Sequence, residues 1–177
     1  MIKYACKTVG KNTEVIGLDF NKKMLSVANT KLNQSIKDYK FKLVKGDMLE
    51  LPFEDLSFDC ITVAFGLRNA KNKLKALSEI YRVLKSNGRL VCLELSNSSL
   101  PVFNSLYAVY FNYMLPIMGY LGTGDKTAYY YLRDSVNSFM SKTELQSAFQ
   151  QIGFIDTGYL SLTGGIAAIH YGNKKLL

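Results

Sequence analysis

Short apolar runs alternate with helix-period segments between residues 15 and 96, and this alternation constrains the fold more than any other property of the sequence. Residues 15–20, Val-Ile-Gly-Leu-Asp-Phe, form an apolar run that ends at an acid. Asn21 follows as an N-cap, and Met24, Leu25, Val27, Ala28 and Leu32 recur behind it at helical spacing. Residues 41–47 read as a second strand, and residues 58–66 as a nearly continuous apolar strand of the kind covered on both faces. Leu74, Ala76, Leu77, Ile80, Tyr81 and Leu84 mark another helix, which Asn87-Gly88 is expected to close, and residues 89–95 give the next strand. Strands joined through helices run parallel with right-handed crossovers, so the expected fold is a doubly wound α/β sheet. Ligands of such sheets bind beyond the carboxyl ends of the strands, where Asp19, Asp47 and residues 65–69 fall.

The pattern changes at residues 100–122, a long apolar and tyrosine-rich segment of about membrane-spanning length. Asn104, Asn112 and Pro116 interrupt it, which favours a lid helix or helix pair over a membrane span. Residues 141–152 give a last amphipathic helix, with Ser141 and Glu144 spaced as a capping box and Gly153 as its stop. Residues 154–162 and 166–171 then read as an antiparallel hairpin at the sheet edge, turning at Gly164-Gly165. We expect one domain over residues 1–177, with residues 97–140 as a lid insertion over the substrate.

Composition removes several function classes. A net charge of +8 would suit nucleic acid, an acidic ligand or an anionic membrane face, but no lysine block exceeds Lys22-Lys23 or Lys174-Lys175, so no nucleic-acid arm is expected. Cys6, Cys60 and Cys92 are odd in number and widely spaced, and the last two sit in apolar runs, as reduced core thiols of a cytoplasmic protein would. One histidine and no Cys-x-x-Cys pair argue against a metal site, and residues 1–10 hold no signal-peptide core.

Two positions invite chemistry by type alone. A carboxylate at Asp19 can accept hydrogen bonds from both hydroxyls of a ribose, or can serve a helix start through the dipole. His170, the sole histidine, is a candidate base, or a structural residue of an apolar strand.

The segments Gly17-Leu18-Asp19-Phe20, Lys45-Gly46-Asp47-Met48, Phe65-Gly66-Leu67-Arg68-Asn69 and Leu162-Thr163-Gly164-Gly165-Ile166 together resemble the UbiE-type C-methyltransferases of menaquinone and ubiquinone biosynthesis. The likeness runs over nearly the whole chain. It implies a class I methyltransferase fold, Rossmann-like and mostly parallel with a C-terminal antiparallel hairpin. It implies S-adenosyl-L-methionine (SAM) as cofactor and a polyprenyl quinol as substrate, either a demethylmenaquinol or a 2-polyprenyl-benzoquinol, met by peripheral contact at the inner membrane face. By the same resemblance Asp19 and Phe20 would hold the ribose side of SAM. Gly46, Asp47 and Met48 would hold its adenine, and Ala64, Phe65 and Gly66 would bring backbone against it. Arg68 and Asn69 would face the substrate ring, where a guanidinium stabilises a phenolate and an amide orients its oxygen or a water. The competing readings are a local turn at Asp47, a surface salt bridge at Arg68 and a helix cap at Asn69. Of Tyr129, Tyr130 and Tyr131, one could stack on the quinol while the others pack.

The family's acidic glycine-rich loop, of the Asp-x-x-x-Gly-Thr-Gly-Asp kind, has no counterpart in residues 1–9. The expectation is therefore a truncated chain whose first strand and glycine-rich loop are missing, inactive alone, because each unsatisfied buried backbone group costs on the order of 1–3 kcal/mol. Two rival functions follow: an inactive relative acting as a scaffold, and a methyltransferase of a soluble small molecule.

Overall fold

The computed structural model describes residues 1–96 and 127–176. The apolar segment at residues 100–122, most of the expected lid and the side chain of Tyr129 lie outside the described residues. Two compact units are distinguished, residues 1–53 and residues 54–177.

The first unit runs α1 (Ile2–Val9), β1 (Val15–Asp19), α2 (Lys22–Ser35) and β2 (Phe41–Lys45). Asn21 starts α2 as its sequence predicts, its side chain accepting from the N–H groups of Lys23 and Met24. β1 and β2 pair in parallel, Val15 opposite Phe41 and Asp19 opposite Lys45. Cys6, Leu32 and Ile36 are buried together, with Ile2, Val15, Tyr39 and Leu43 packed around them. Each buried Leu or Ile contributes about 1.5–3 kcal/mol here. A Cβ at Gly17 would collide with Ile2 Cδ1, so the glycine is what lets α1 lie against β1.

The second unit runs β3 (Phe58–Ala64), a 3-10 turn (Leu67–Asn69), α3 (Lys73–Val83), β4 (Leu84–Leu95), α4 (Thr127–Asn137), α5 (Lys142–Ile152), β5 (Phe154–Leu162) and β6 (Ala167–Lys174). Its strands lie in the order β3-β4-β6-β5, with β3 parallel to β4 and β6 antiparallel to both β4 and β5. The hairpin thus stands at the edge with its second strand inside. Ser141 and Glu144 form the expected capping box on α5, and Gly153 ends it in the left-handed region at φ 112°. Leu67, Leu77, Val83, Leu90, Leu145 and Phe149 form the buried centre. Tyr81 meets Phe154 edge to face at 4.9 Å.

Two local expectations are corrected. α3 stops at Val83 and β4 begins at once, so Asn87-Gly88 does not close the helix. Asn87, at φ 62°, lies instead in an irregularity within β4, between the pairs Phe58–Leu84 and Cys60–Arg89. Cys60 is exposed, not buried, and Asp59 and Thr62 beside it are exposed as well. β3 pairs with β4 alone among the described residues, and an end strand has lateral neighbours on one side only. Cys6 and Cys92 are buried as expected. No described helix is long and apolar enough to cross a membrane.

Candidate functional site

In the first unit the sequence-predicted cofactor residues meet at the carboxyl ends of β1 and β2. Asp19 Oδ1 accepts from the N–H of Asn21 at 2.8 Å, which leaves Oδ2 without a partner among the described residues. The N–H of Gly46 donates to the carbonyl of Asp19 at 3.2 Å and ties the two strand ends together. Asp47 Oδ1 accepts from the N–H of Leu49 at 2.9 Å, the local turn that its alternative reading describes. Gly46 is needed for packing: a Cβ there would come within 2.8 Å of Leu18 Cδ1 and 3.0 Å of the Pro52 ring. Phe20 is 73% exposed beside these carboxylates. A half-buried acid with an open oxygen, a second acid one strand away and a bare aromatic ring fit the diol, the amino group and the base of an adenosine.

In the second unit the chain leaves β3 through Phe65, whose φ of 55° is left-handed, a conformation costing a non-glycine residue about 1–2 kcal/mol. Its N–H is held by the Leu93 carbonyl at 2.9 Å. Gly66 precedes the 3-10 turn with ordinary right-handed angles, so nothing in its own backbone demands glycine. Ala64 closes β3 just before this bend.

Arg68 sits between two partners. Its Nη1 donates to Glu94 Oε2 at 2.8 Å, and its guanidinium carbon lies 5.7 Å from the centre of the Phe65 ring. The pair is not a surface salt bridge, since the side chains are 11% and 1% exposed. The Nε of Arg68 is buried and has no hydrogen-bond partner among the described residues. Asn69 does not cap α3, which is the work of Asn72 through the N–H of Lys75 at 2.9 Å. Asn69 accepts instead from the Tyr131 hydroxyl at 3.0 Å, and its own amide reaches the Phe65 carbonyl at 3.4 Å. Arg68, Asn69, Lys71, Tyr131 and Ser135 are among the residues lining a cavity of about 440 Å³.

His170 is placed elsewhere. It lies on β6, 2% exposed, with rings of Phe149 and Tyr159 at 6.2 and 5.3 Å. Its Nε2 is 2.9 Å from the Lys142 carbonyl and therefore carries the proton, while Nδ1 has no partner among the described residues. Burial lowers its pKa, so the ring stays neutral. It does not line the cavity of Arg68 and Asn69.

Sequence reading missed Glu94 and the contact of Tyr131 with Asn69. The signal for Glu94 was present, since it is the one charged residue between Leu90 and Leu95 in an apolar strand.

These features meet independent likenesses. Residues 2–174 match the model of the ubiE/COQ5 methyltransferase family. The demethylmenaquinone methyltransferases of Staphylococcus aureus strains JH9 and Newman are each 47% identical over 169 residues, covering 96% of this chain and 69% of theirs. A SAM-dependent methyltransferase structure from Aquifex aeolicus agrees at a TM-score of 0.66 and 19% identity, covering 96% of this chain and 73% of that one. One from Thermotoga maritima, described as a possible histamine N-methyltransferase, agrees at 0.64 and 20%, covering 97% and 76%. At such identities the structures establish the fold, and the sequence likeness establishes the kinship: the chain belongs to the ubiE/COQ5 methyltransferase family.

Proposed function

We propose that this chain serves SAM-dependent C-methylation of the ring of a demethylmenaquinol in menaquinone biosynthesis. The observation that carries the proposal is Arg68, a guanidinium fixed in a cavity wall beside Asn69 and Tyr131. When bound, SAM supplies an electrophilic methyl group on a sulfonium sulfur. Asp19 would hold the ribose hydroxyls with Phe20 beside it, and Asp47 with the backbone of Gly46 and Met48 would hold the adenine. Ala64, Phe65 and Gly66 would present backbone to the cofactor. Arg68 and Asn69 face the ring oxygen. The quinol oxygen would give up its proton to a water, the ring carbon gains nucleophilic character, the guanidinium donors meet the negative charge that develops, and the methylated ring carbon would then lose its own proton to water as the aromatic ring is restored. Asn69, whose amide already accepts from a phenolic hydroxyl, is suited to orient that oxygen or a water. His170 serves the core in this scheme, because its bare nitrogen is buried among aromatic rings.

A polyprenyl substrate lives in the membrane. The charge of +8 suits peripheral contact with an anionic leaflet, and the apolar residues 100–122 would meet the prenyl tail. The test is transfer of labelled methyl from SAM to demethylmenaquinol in lipid vesicles by the purified chain, with SAM binding followed by calorimetry. Transfer to the quinol supports the proposal. A folded chain that binds SAM and never labels the quinol refutes the substrate, and a folded chain that binds no SAM leaves the scaffold role.

A further inference from the structure

We infer that Glu94 is the positioning residue of this site: its buried carboxylate clamps Arg68 at two points and balances the guanidinium charge, so Arg68 offers fixed donors without a net charge of its own. The inference rests on the reading of Arg68 and Asn69 as the ring-oxygen site. Glu94 alternates onto the buried face of β4 with Leu90 and Cys92. Its Oε2 accepts from Arg68 Nη1 at 2.8 Å, and its Oε1 accepts from the backbone N–H of Arg68 at 3.2 Å. Both donors belong to one residue, so neither the 3-10 turn nor the arginine side chain can rotate without losing a bond. Phe65 closes the other side of the guanidinium.

Stability alone gives a weak reason for this pair, because buried ion pairs are often replaceable by apolar residues without loss. Its effect on a ligand gives a stronger one. An uncompensated guanidinium at this position would favour a phenolate already in the ground state. A compensated one accepts the neutral phenol and meets charge only as it develops, which is the difference that accelerates a reaction.

The test titrates a chromophoric phenol, 4-nitro-1-naphthol, into the purified chain, reading its affinity and the pH at which the bound probe ionises. Lys71, Lys73, Tyr131 and Asp134 line the same cavity and are kept in every variant, so differences report Glu94. Glu94→Gln is expected to lower the ionisation pH of the bound probe by roughly one unit or more, the effect of an adjacent bare charge. Glu94→Asp keeps the charge, leaves that pH in place and weakens the probe about tenfold, since the shorter arm cannot serve both donors. A folded Glu94→Gln chain with wild-type affinity and ionisation overturns the inference. Should that variant not fold, Glu94→Asp with wild-type affinity overturns it alone. Arg68→Met separates the two readings. A probe weakened by Arg68→Met but indifferent to position 94 keeps the ring-oxygen site and removes the role of Glu94. A probe that does not bind the unaltered chain overturns both.

Discussion

Replacing Lys174 by methionine should destabilise the second unit by about 3 kcal/mol, through the carboxyl end of α3. A helix ends with four carbonyls lacking intrahelical partners. Here the N–H of Leu84 serves Ile80, and the N–H groups of Leu56 and Ser57 serve Arg82 and Val83. Tyr81 is left to Lys174, whose Nζ donates to its carbonyl at 2.8 Å, to that of Leu84 at 2.8 Å and to that of Arg82 at 3.4 Å. The ammonium also lies 4.8 Å from the centre of the Tyr81 ring. Methionine keeps the volume and removes two charge-assisted hydrogen bonds, at roughly 1.5–3 kcal/mol each, with a few tenths more from the helix dipole. Burial pushes the Lys174 ammonium below its usual range, and relief of that desolvation returns part of the loss. The net of ~3 kcal/mol should lower the melting temperature by roughly 6–12 °C in a protein of this size. Urea denaturation of Lys174→Met and of the exposed control Lys175→Met measures it. If both variants stay within about 0.5 kcal/mol of the parent, water replaces the ammonium and the cap does not matter.

His170 should give the fold an acid-side weakness. Its pKa is lowered by burial, so the unfolded chain takes up the proton first; stability is full above the unfolded value of about 6.5 and declines as pH falls from there towards the folded value. Urea midpoints between about pH 8 and pH 5 should fall less steeply for His170→Gln than for the parent, and equal slopes would assign the acid loss to other groups. Asp19→Ala should weaken SAM binding about tenfold or more, whereas Arg68→Ala should mainly lower turnover; calorimetry that finds the same SAM loss in both would contradict the assigned roles. Gly17→Ala should cost ~1–3 kcal/mol by overpacking against Ile2, and adding Ile2→Ala should recover much of it in denaturant titrations. Failure of that rescue would place the strain elsewhere.

Legibility in the sequence followed the range of the interaction. The caps at Asn21 and Ser141 bond within three residues, so side-chain type and spacing suffice to find them. The hairpin announces itself through alternation on both sides of Gly164-Gly165. The Arg68–Glu94 clamp joins residues 26 apart and the Lys174 cap residues 93 apart, and both depend on which strands are neighbours. Strand order is invisible to local pattern. Cys60 shows the same limit, since an apolar run reads as buried whether or not its strand gains a second neighbour. Asn87 carried the right backbone preference, but turns and strand irregularities draw on the same residue types. Of the candidate site, strand ends located the residues, while tertiary packing decided that Arg68 is held and that His170 is sealed in.

The strand order also bears on how the second unit comes into being. β5 has no partner among the described residues except β6, and β4 has β6 on the side away from β3. Register pairs such as Arg89–Asn173 close across 84 residues of chain. Half of this sheet therefore stays unpaired until its last-made strand exists, and Lys174, the residue that finishes α3, sits at that strand's end. A chain growing from its amino end carries an open edge at β4 and a lone β5 throughout that interval, which makes folding of this unit slow and exposed to misassociation until synthesis has passed β6.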